Sequence, residues 1–176
     1  IVAPEFQWDD FKGVDVRGKV LVLFTNEPSS DDPKFFGGRA LTYYGRWTYK
    51  FEQAARAGAL AALIIHTSPT AGYGWDVVRN SWSREEPFVK LPPGREDLAF
   101  AGWVTEDAGE RLLSLAGRSV AELLQASESR GFKPIPLGVR VRGRIQSRIR
   151  DIPSANVAAI IPGSDPDLRD EAVIFS

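Results

Sequence analysis

The chain of 176 residues contains no cysteine and no methionine, and its one histidine is His66. The absence of cysteine excludes disulfides, thiolate metal sites and a cysteine nucleophile. Natural open reading frames begin with methionine, whereas this sequence begins Ile1-Val2-Ala3-Pro4, so we expect a processed or excised chain. No apolar run approaches the ~20 residues that a membrane-spanning helix needs. The side chains that most enzymes use for catalysis are therefore scarce.

An excess of charge of either sign is also lacking, because 22 Lys and Arg residues balance 23 Asp and Glu residues and the net charge is −1. Such a balance provides no general attraction to nucleic acid or to an anionic membrane, and we expect neither as a partner. Hydrophobic residues make up 43% of the chain and charged residues 26%, as in ordinary globular proteins. The length fits one domain, or one domain and a fragment of another.

What the sequence does contain is a strand, helix, strand pattern in its first half. Residues 19–25 (KVLVLFT) form a continuous apolar run that is typical of a strand buried on both faces. Apolar residues then recur at helical spacing over 45–57, and Gly58 follows as the left-handed residue that ends the helix. Residues 59–66 (ALAALIIH) form the next buried strand. This order predicts a βαβ unit and a parallel sheet.

The stretch 67–98 shows no clear period, so we predict a long loop without regular structure. It carries aromatic residues and an arginine, types that are frequent where proteins recognise ligands. Packing of the same rings against the domain is the favoured alternative. The candidate recognition residues are Tyr73, Trp75, Arg79 and Trp82.

Two capped helices are predicted after a third strand at 99–104. Thr105 is the expected N-cap of a helix that runs to about Ala116. Ser119 and Glu122 form a capping box that opens a further helix, ending at about Ser129.

The last forty residues or so have the patterns of strands. Apolar and polar residues alternate over 137–150, and the apolar runs 156–161 and 172–175 are predicted to be buried strands. The alternation places several arginines on one face of the first strand. An exposed polar face, contact with an acidic partner and nucleic-acid binding all remain open for these arginines, and the near-zero net charge disfavours the last.

A search for catalytic motifs assigns no catalytic, cofactor-binding or metal-binding residue. His66 ends a buried strand, where a hydrogen-bonded cap is favoured over a base or a metal ligand. The acidic stretch 165–171 lacks the central glycine of a calcium loop, so a solvated connection is favoured there. An enzyme built around His66 is the least favoured hypothesis.

Longer runs of the sequence resemble a known family. The runs GVDVRGKVLVLFTNEP and YGRWTYKFEQAARAGALAALIIHTSPTAGYGWDVV resemble the protease-associated (PA) domain. They are most similar to the version inserted into bacterial zinc aminopeptidases, metallopeptidases related to glutamate carboxypeptidase. The opening IVAPEFQWDDFKGVDVRGK is similar to the lead-in to that insert. The ending SANVAAIIPGSDPDLRDEAVIFS resembles the first hairpin of the peptidase domain.

This resemblance implies an α/β protease-associated fold, in which helices flank an open, mixed and partly barrel-like sheet, followed by a C-terminal β-hairpin. It implies a lead-in segment at 1–13, a protease-associated domain at 14–150 and the first hairpin of a peptidase domain at 151–176. The implied function is non-catalytic: the domain shapes access to the active site of a secreted or periplasmic bacterial enzyme, or mediates protein and peptide contacts. The alternative is a free-standing peptide- or carbohydrate-binding module that uses the aromatic loop.

The resemblance also implies where catalysis and partners lie. In the family, the strand that matches 172–176 leads into a His-x-Asp segment that begins a two-zinc site. We therefore expect two zinc ions in the parent hydrolase, but no cofactor and no enzyme activity in this chain. The expected partners are its own peptidase domain and a peptide or protein ligand. Self-association through the strands 156–161 and 172–175 is a further expectation.

Overall fold

The computed structural model describes residues 1–90, 92 and 97–175. Within them the chain is a mixed α/β protein with five α-helices and two sheets, one of which is parallel. The α/β class expected from the sequence is confirmed, and neither sheet closes into a barrel in the described part of the chain. The contacts divide the chain into two units, Ile1–Gly143 and the residues from Arg144 onward. Among the helices described, none is long and apolar enough to cross a membrane.

The N-terminal segment folds into a small antiparallel sheet. Strand β1 (Val2–Ala3) pairs with β2 (Trp8–Asp9) around a 3-10 turn at Pro4–Phe6. Trp8 packs against Phe36 in an aromatic cluster that is separate from the main core. This cluster anchors the beginning of the chain to the domain.

The central sheet contains three parallel strands in the order β3-β4-β5. They are β3 (Val20–Phe24), β4 (Ala61–His66) and β5 (Phe100–Thr105), which confirms the three strands predicted in this half of the chain. The middle strand, β4, is the most deeply buried, as its unbroken apolar sequence predicts.

Helix α1 (Trp47–Arg56) connects β3 to β4 and confirms the predicted βαβ unit. It follows a 3-10 turn at Tyr43–Gly45. The helix ends before Gly58, whose φ of +74° is the left-handed conformation predicted for that position. Phe51 and Ala54 of α1 pack on one face of the sheet, with Ala62 and Ile64 of β4 among their partners.

The prediction of a long irregular loop at 67–98 is wrong in its first half. Residues of that stretch form α2 (Ser68–Ala71) and α3 (Trp75–Trp82). Helix α2 is a single turn that ends at Gly72, whose φ is +77°, and α3 has only eight residues, so both are shorter than the window of about 11–18 residues in which helical periods are usually recognised. The glycines between them hide two helices from a pattern search that needs a longer window.

The two capped helices are confirmed. In α4 (Glu106–Ser114) the Thr105 hydroxyl accepts a hydrogen bond from the Ala108 N–H at 3.2 Å. In α5 (Val120–Ser127) the Ser119 hydroxyl accepts one from the Glu122 N–H, also at 3.2 Å. These helices cover the second face of the sheet through a cluster of buried side chains formed by Ile65, Leu113, Val120 and Leu123.

The strands predicted at 137–150, 156–161 and 172–175, and with them the C-terminal hairpin, are not formed in this structure. Over residues 144–175 the structure has turns and irregular chain but no helix or strand, and the side chains are exposed. A strand needs a partner for its backbone groups, and an isolated two-stranded hairpin is marginally stable in water. The apolar pattern therefore indicates strand-forming residues without determining what they pair with.

Candidate functional site

The carboxyl ends of the parallel strands meet at one edge of the sheet, where open α/β sheets commonly bind ligands. Here the polar side chains at that edge form hydrogen bonds with one another. The Thr25 and Thr70 hydroxyl oxygens lie 3.2 Å apart, and the Asn26 amide donates to the Ser127 hydroxyl at 2.9 Å. These buried polar groups join β3 to α2 and α5. The edge therefore serves as a structural connection.

His66 lies at the same edge, buried at the end of β4. Its Nε2 atom is 3.0 Å from the carbonyl oxygen of Tyr73. The rings of Tyr73, Trp75 and Trp103 surround it, with centroids 5.6, 5.7 and 6.2 Å from the imidazole. This is the hydrogen-bonded cap that the sequence favours for His66, and it accounts for the positions of Tyr73 and Trp75.

Helix α3 presents one apolar face to the domain. Trp75, Val78 and Trp82 recur at spacings of three and four, so they lie on the same side of the helix. Val78 is buried, and Trp82 packs against the main core. The face of α3 that carries Trp75, Val78 and Trp82 is therefore directed toward the interior of the domain.

Trp82 joins two tryptophans from distant parts of the chain. Its ring centroid lies 5.5 Å from that of Trp47 in α1 and 6.1 Å from that of Trp103 in β5. Trp47 and Trp103 are in turn 6.3 Å apart. The interplanar angles of 62–78° are those of edge-to-face contacts, the arrangement that aromatic pairs prefer.

These three rings form one wall of a cavity of about 210 Å³, the α3 pocket. Tyr73 contributes a second aromatic wall, and Val77, Val78 and Ser81 line the pocket from α3. Glu86, an exposed residue beyond the helix, lines it as well. The pocket combines ring surfaces with a few polar atoms, which is the usual composition of a site for a small group.

One wall of the pocket carries a hydrogen-bond donor that has no acceptor. The indole Nε1 of Trp103 is buried and unpartnered among the described residues. An unsatisfied buried N–H costs about 1–3 kcal/mol.

The structure places the four recognition residues predicted from the sequence in different environments. Tyr73 and Trp82 line the α3 pocket, whereas Trp75 packs on His66 beside it. Arg79 is 63% exposed and forms an ion pair of 2.9 Å with Asp76. It is not among the residues that line the pocket.

The sequence analysis missed Trp47 and Trp103 as pocket residues. The sequence does indicate that each of these residues is in a regular element, because Trp47 lies on the apolar face of a predicted helix and Trp103 in a predicted strand. Nothing in the sequence brings 47, 82 and 103 together, since only the packing of α1, α3 and β5 does so.

A larger cavity, of about 490 Å³, lies beside the N-terminal sheet. Two of its charged groups, Arg130 and Asp10, are engaged in structural contacts. The Arg130 guanidinium donates to the carbonyl oxygens of Phe6 and Gln7 and lies 5.5 Å from the Trp8 ring centroid. Asp10 accepts hydrogen bonds from the N-terminal ammonium at 2.5 Å and from the Trp8 indole at 2.6 Å. The contacts of Arg130 join the N-terminal segment to the chain after α5.

Lys50 is the buried cation of the domain's interior, and the sequence analysis missed it too. Its Nζ donates to the Asn26 carbonyl oxygen at 2.6 Å. Burial lowers the pKa of Lys50 to about 8, and the nearby carboxylates of Asp10 and Glu27 oppose that shift. Lys50 follows Trp47 by three residues and precedes Ala54 by four, so helical spacing could have placed it on the inner face of α1.

The residues that the structure describes include no group of three or more His, Asp or Glu side chains placed to hold a metal ion. In the acidic stretch near the end of the chain, the Asp167 N–H donates to the Asp165 carboxylate at 2.9 Å. Its side chains are exposed, as a solvated connection requires. Comparison of the chain with protein-family models, with curated proteins and with solved structures finds no match.

Proposed function

We propose that this chain is a non-catalytic protease-associated domain of a secreted, zinc-dependent aminopeptidase-like enzyme. The observation that carries the proposal is the unit formed by β3, α1 and β4, which coincides with the runs that resemble that domain. The α3 pocket lies in the second of those runs and in the segments that pack against it. The domain's role in this proposal is to shape the entrance to the active site or to hold a peptide or protein there.

The chemistry of such an enzyme would lie outside this chain. Two zinc ions in the peptidase domain would lower the pKa of a bridging water and polarise the scissile carbonyl. The described residues of this chain do not fit a zinc centre, because His66 Nε2 is engaged by a backbone carbonyl and the surrounding groups are aromatic rings. This chain would contribute position and access, and we derive no catalytic step from its own side chains.

The coding sequence on both sides of these residues provides the first test. We expect a zinc-peptidase domain in the same reading frame, and an unrelated domain there would refute the parentage. The second test is elemental analysis of the purified chain with an aminopeptidase assay on aminoacyl anilides. We expect neither stoichiometric zinc nor hydrolysis. One or two tightly bound zinc ions per chain would contradict the proposal.

A binding module that acts without a peptidase partner is the second candidate function. The α3 pocket favours it, because Tyr73 and Trp82 supply ring surface beside polar atoms. Its test is intrinsic tryptophan fluorescence during titration with panels of peptides and oligosaccharides. A saturable shift that is lost in Trp82→Phe, with the circular dichroism spectrum unchanged, would support binding at this pocket. No shift with any ligand would count against it.

A further inference from the structure

We propose that the α3 pocket binds a cationic side chain, and specifically an arginine presented by a peptide or protein partner. The inference deepens the binding-module candidate and does not depend on the aminopeptidase parentage. It rests on four features of the pocket: the ring surfaces, the sign of its charge, the chemistry of its polar atoms and its apolar lining.

The ring surfaces favour a cation. The faces of indole and phenol rings carry negative electrostatic potential, and tryptophan attracts cations more strongly than the other aromatic side chains. Trp47, Trp82 and Trp103 meet at steep angles and do not stack flat on one another. All three rings line the same pocket.

The charge of the lining residues also favours a cation, because it is negative. Among the described residues that line it, Glu86 carries a charge and no lysine or arginine is present. The nearest arginine along α3, Arg79, is paired with Asp76. A cation in the pocket therefore meets one carboxylate and no like charge from the lining residues.

Apart from the buried indole N–H of Trp103, which is a donor, the pocket has polar groups that accept hydrogen bonds. The Ser81 hydroxyl donates its proton to the Val77 carbonyl oxygen at 2.8 Å, so its oxygen is left as an acceptor. The Glu86 carboxylate is an acceptor as well. A guanidinium supplies several donors in a plane and also stacks on aromatic faces, so it satisfies both kinds of wall.

The apolar part of the pocket fits the stem of the same side chain. Val78 is buried, and Val77, which is 53% exposed, lies one residue before it on α3. Arginine covers apolar surface with its methylene stem while its head reaches polar groups. A cavity of about 210 Å³ is of the size of one side chain, so the partner would present a single arginine here.

The test is a titration of the chain, labelled with ¹⁵N at tryptophan, with N-acetyl-arginine amide, N-acetyl-lysine amide and N-acetyl-leucine amide. Indole N–H signals are assigned with single Trp→Phe variants. We expect the arginine ligand to shift the signals of Trp47, Trp82 or Trp103 saturably, and added salt to weaken the effect. Trp8, which packs in the N-terminal cluster, serves as the internal reference.

Two surface variants keep the test independent of folding. Glu86→Gln should weaken arginine binding by about threefold, the scale of one solvent-exposed ion pair. Val77→Lys places a like charge at an exposed position of the pocket and should abolish the saturable shift. Glu85→Gln makes the same change of net charge one residue away and should leave binding as it is.

Four outcomes would overturn the proposal: leucine binding as tightly as arginine, Glu86→Gln and Glu85→Gln weakening binding equally, Val77→Lys leaving it unchanged, or no saturable shift with any of the three ligands. Equal affinity for lysine would overturn the choice of a guanidinium. The accessory role is decided separately, by the neighbouring coding sequence and the zinc analysis, so failure of the arginine site and failure of that role are distinguishable.

Discussion

At the scale of single residues, Lys50 has the most consequential environment. It is enclosed between α1, the chain after β3 and the N-terminal segment, and its Nζ binds the Asn26 carbonyl. Burial disfavours the charged amine, which is why the pKa of Lys50 falls to about 8 from 10.5. The contact between the Lys50 amine and the Asn26 carbonyl joins α1 to the residues that follow β3. The charge state of this amine is therefore linked to the stability of the domain.

We predict that Lys50 contributes a rise in the free energy of unfolding between pH 8 and about 10, measured as the difference between the wild type and Lys50→Met. In that range the unfolded state keeps the Lys50 proton and the native state has lost it, so the unfolded state binds more protons. The gain is about 2 kcal/mol over the interval. Urea denaturation at a series of pH values measures it.

Lys50→Met is the control for this prediction, because it removes the titrating group and keeps a long apolar stem. The slope attributed to Lys50 should disappear in the variant. The variant is needed at every pH, because the native state raises the pKa of all four tyrosines, so their ionisation in the unfolded state acts in the opposite direction as the pH approaches 10. A wild-type slope that Lys50→Met retains would show that another group is responsible.

Gly109 gives a second prediction at this scale. A Cβ at this position of α4 would lie 2.7–2.8 Å from three side-chain atoms of Ile65, which is buried in the middle strand. We expect Gly109→Ala to destabilise the protein by about 1–3 kcal/mol, because the clash outweighs the gain in helix propensity. Thermal unfolding of the variant beside Gly143→Ala, whose Cβ meets nothing within 4 Å, measures the difference. Equal melting temperatures would refute the tight contact.

At the scale of elements, α3 has two faces with different roles. Its inner face holds Val78 and Trp82 against the core, and its outer face carries Asp76 and Arg79 as a solvent-exposed ion pair. The helix is therefore fixed by packing, and the pocket beside it depends on that packing for its shape.

We predict that Trp82→Ala lowers the free energy of unfolding by about 2–3 kcal/mol, slightly below the range for fully buried large aromatics because Trp82 is partly exposed. Arg79→Ala should change it by less than about 0.5 kcal/mol, as expected for an exposed ion pair. Chemical denaturation of both variants provides the comparison. Similar effects of the two substitutions would contradict the assignment of the faces.

At the scale of the whole molecule, the residues from Arg144 onward differ from the rest of the chain. Val157, Ile161 and Phe175 are 93–96% exposed. Contiguous apolar side chains in an extended segment tend to pair with another chain, because unpaired strand edges and apolar surface are both removed from water.

We predict that the chain self-associates through this segment, with a mass that rises with concentration in light scattering. The double variant Ile161→Lys and Phe175→Lys should shift the equilibrium to the monomer. Leu115→Lys is the matched control, since Leu115 is an apolar residue of α4's C-terminal end that is 70% exposed. If the mass of the unmodified chain does not depend on concentration, this prediction is wrong.

The fold was predictable wherever neighbours along the chain supply the signal. The turn at Gly58, the caps at Thr105 and Ser119 and the apolar runs of β3 and β4 each depend on a few consecutive residues, and each is confirmed. Helices α2 and α3 were missed because one is a single turn and glycines separate them. Of the candidate site, Tyr73 and Trp82 were predicted, while Trp47 and Trp103 were not.

What the sequence determined by itself is the set of local choices: the βαβ order, the helix ends and the lack of thiol chemistry. Only the tertiary structure decided which tryptophans meet, that Lys50 is buried, and that residues 144–175 stay without helix or strand and exposed. The physical reason is the range of the interactions. Caps and turns depend on hydrogen bonds within a few residues, whereas a pocket or a buried charge depends on side chains that only packing brings together.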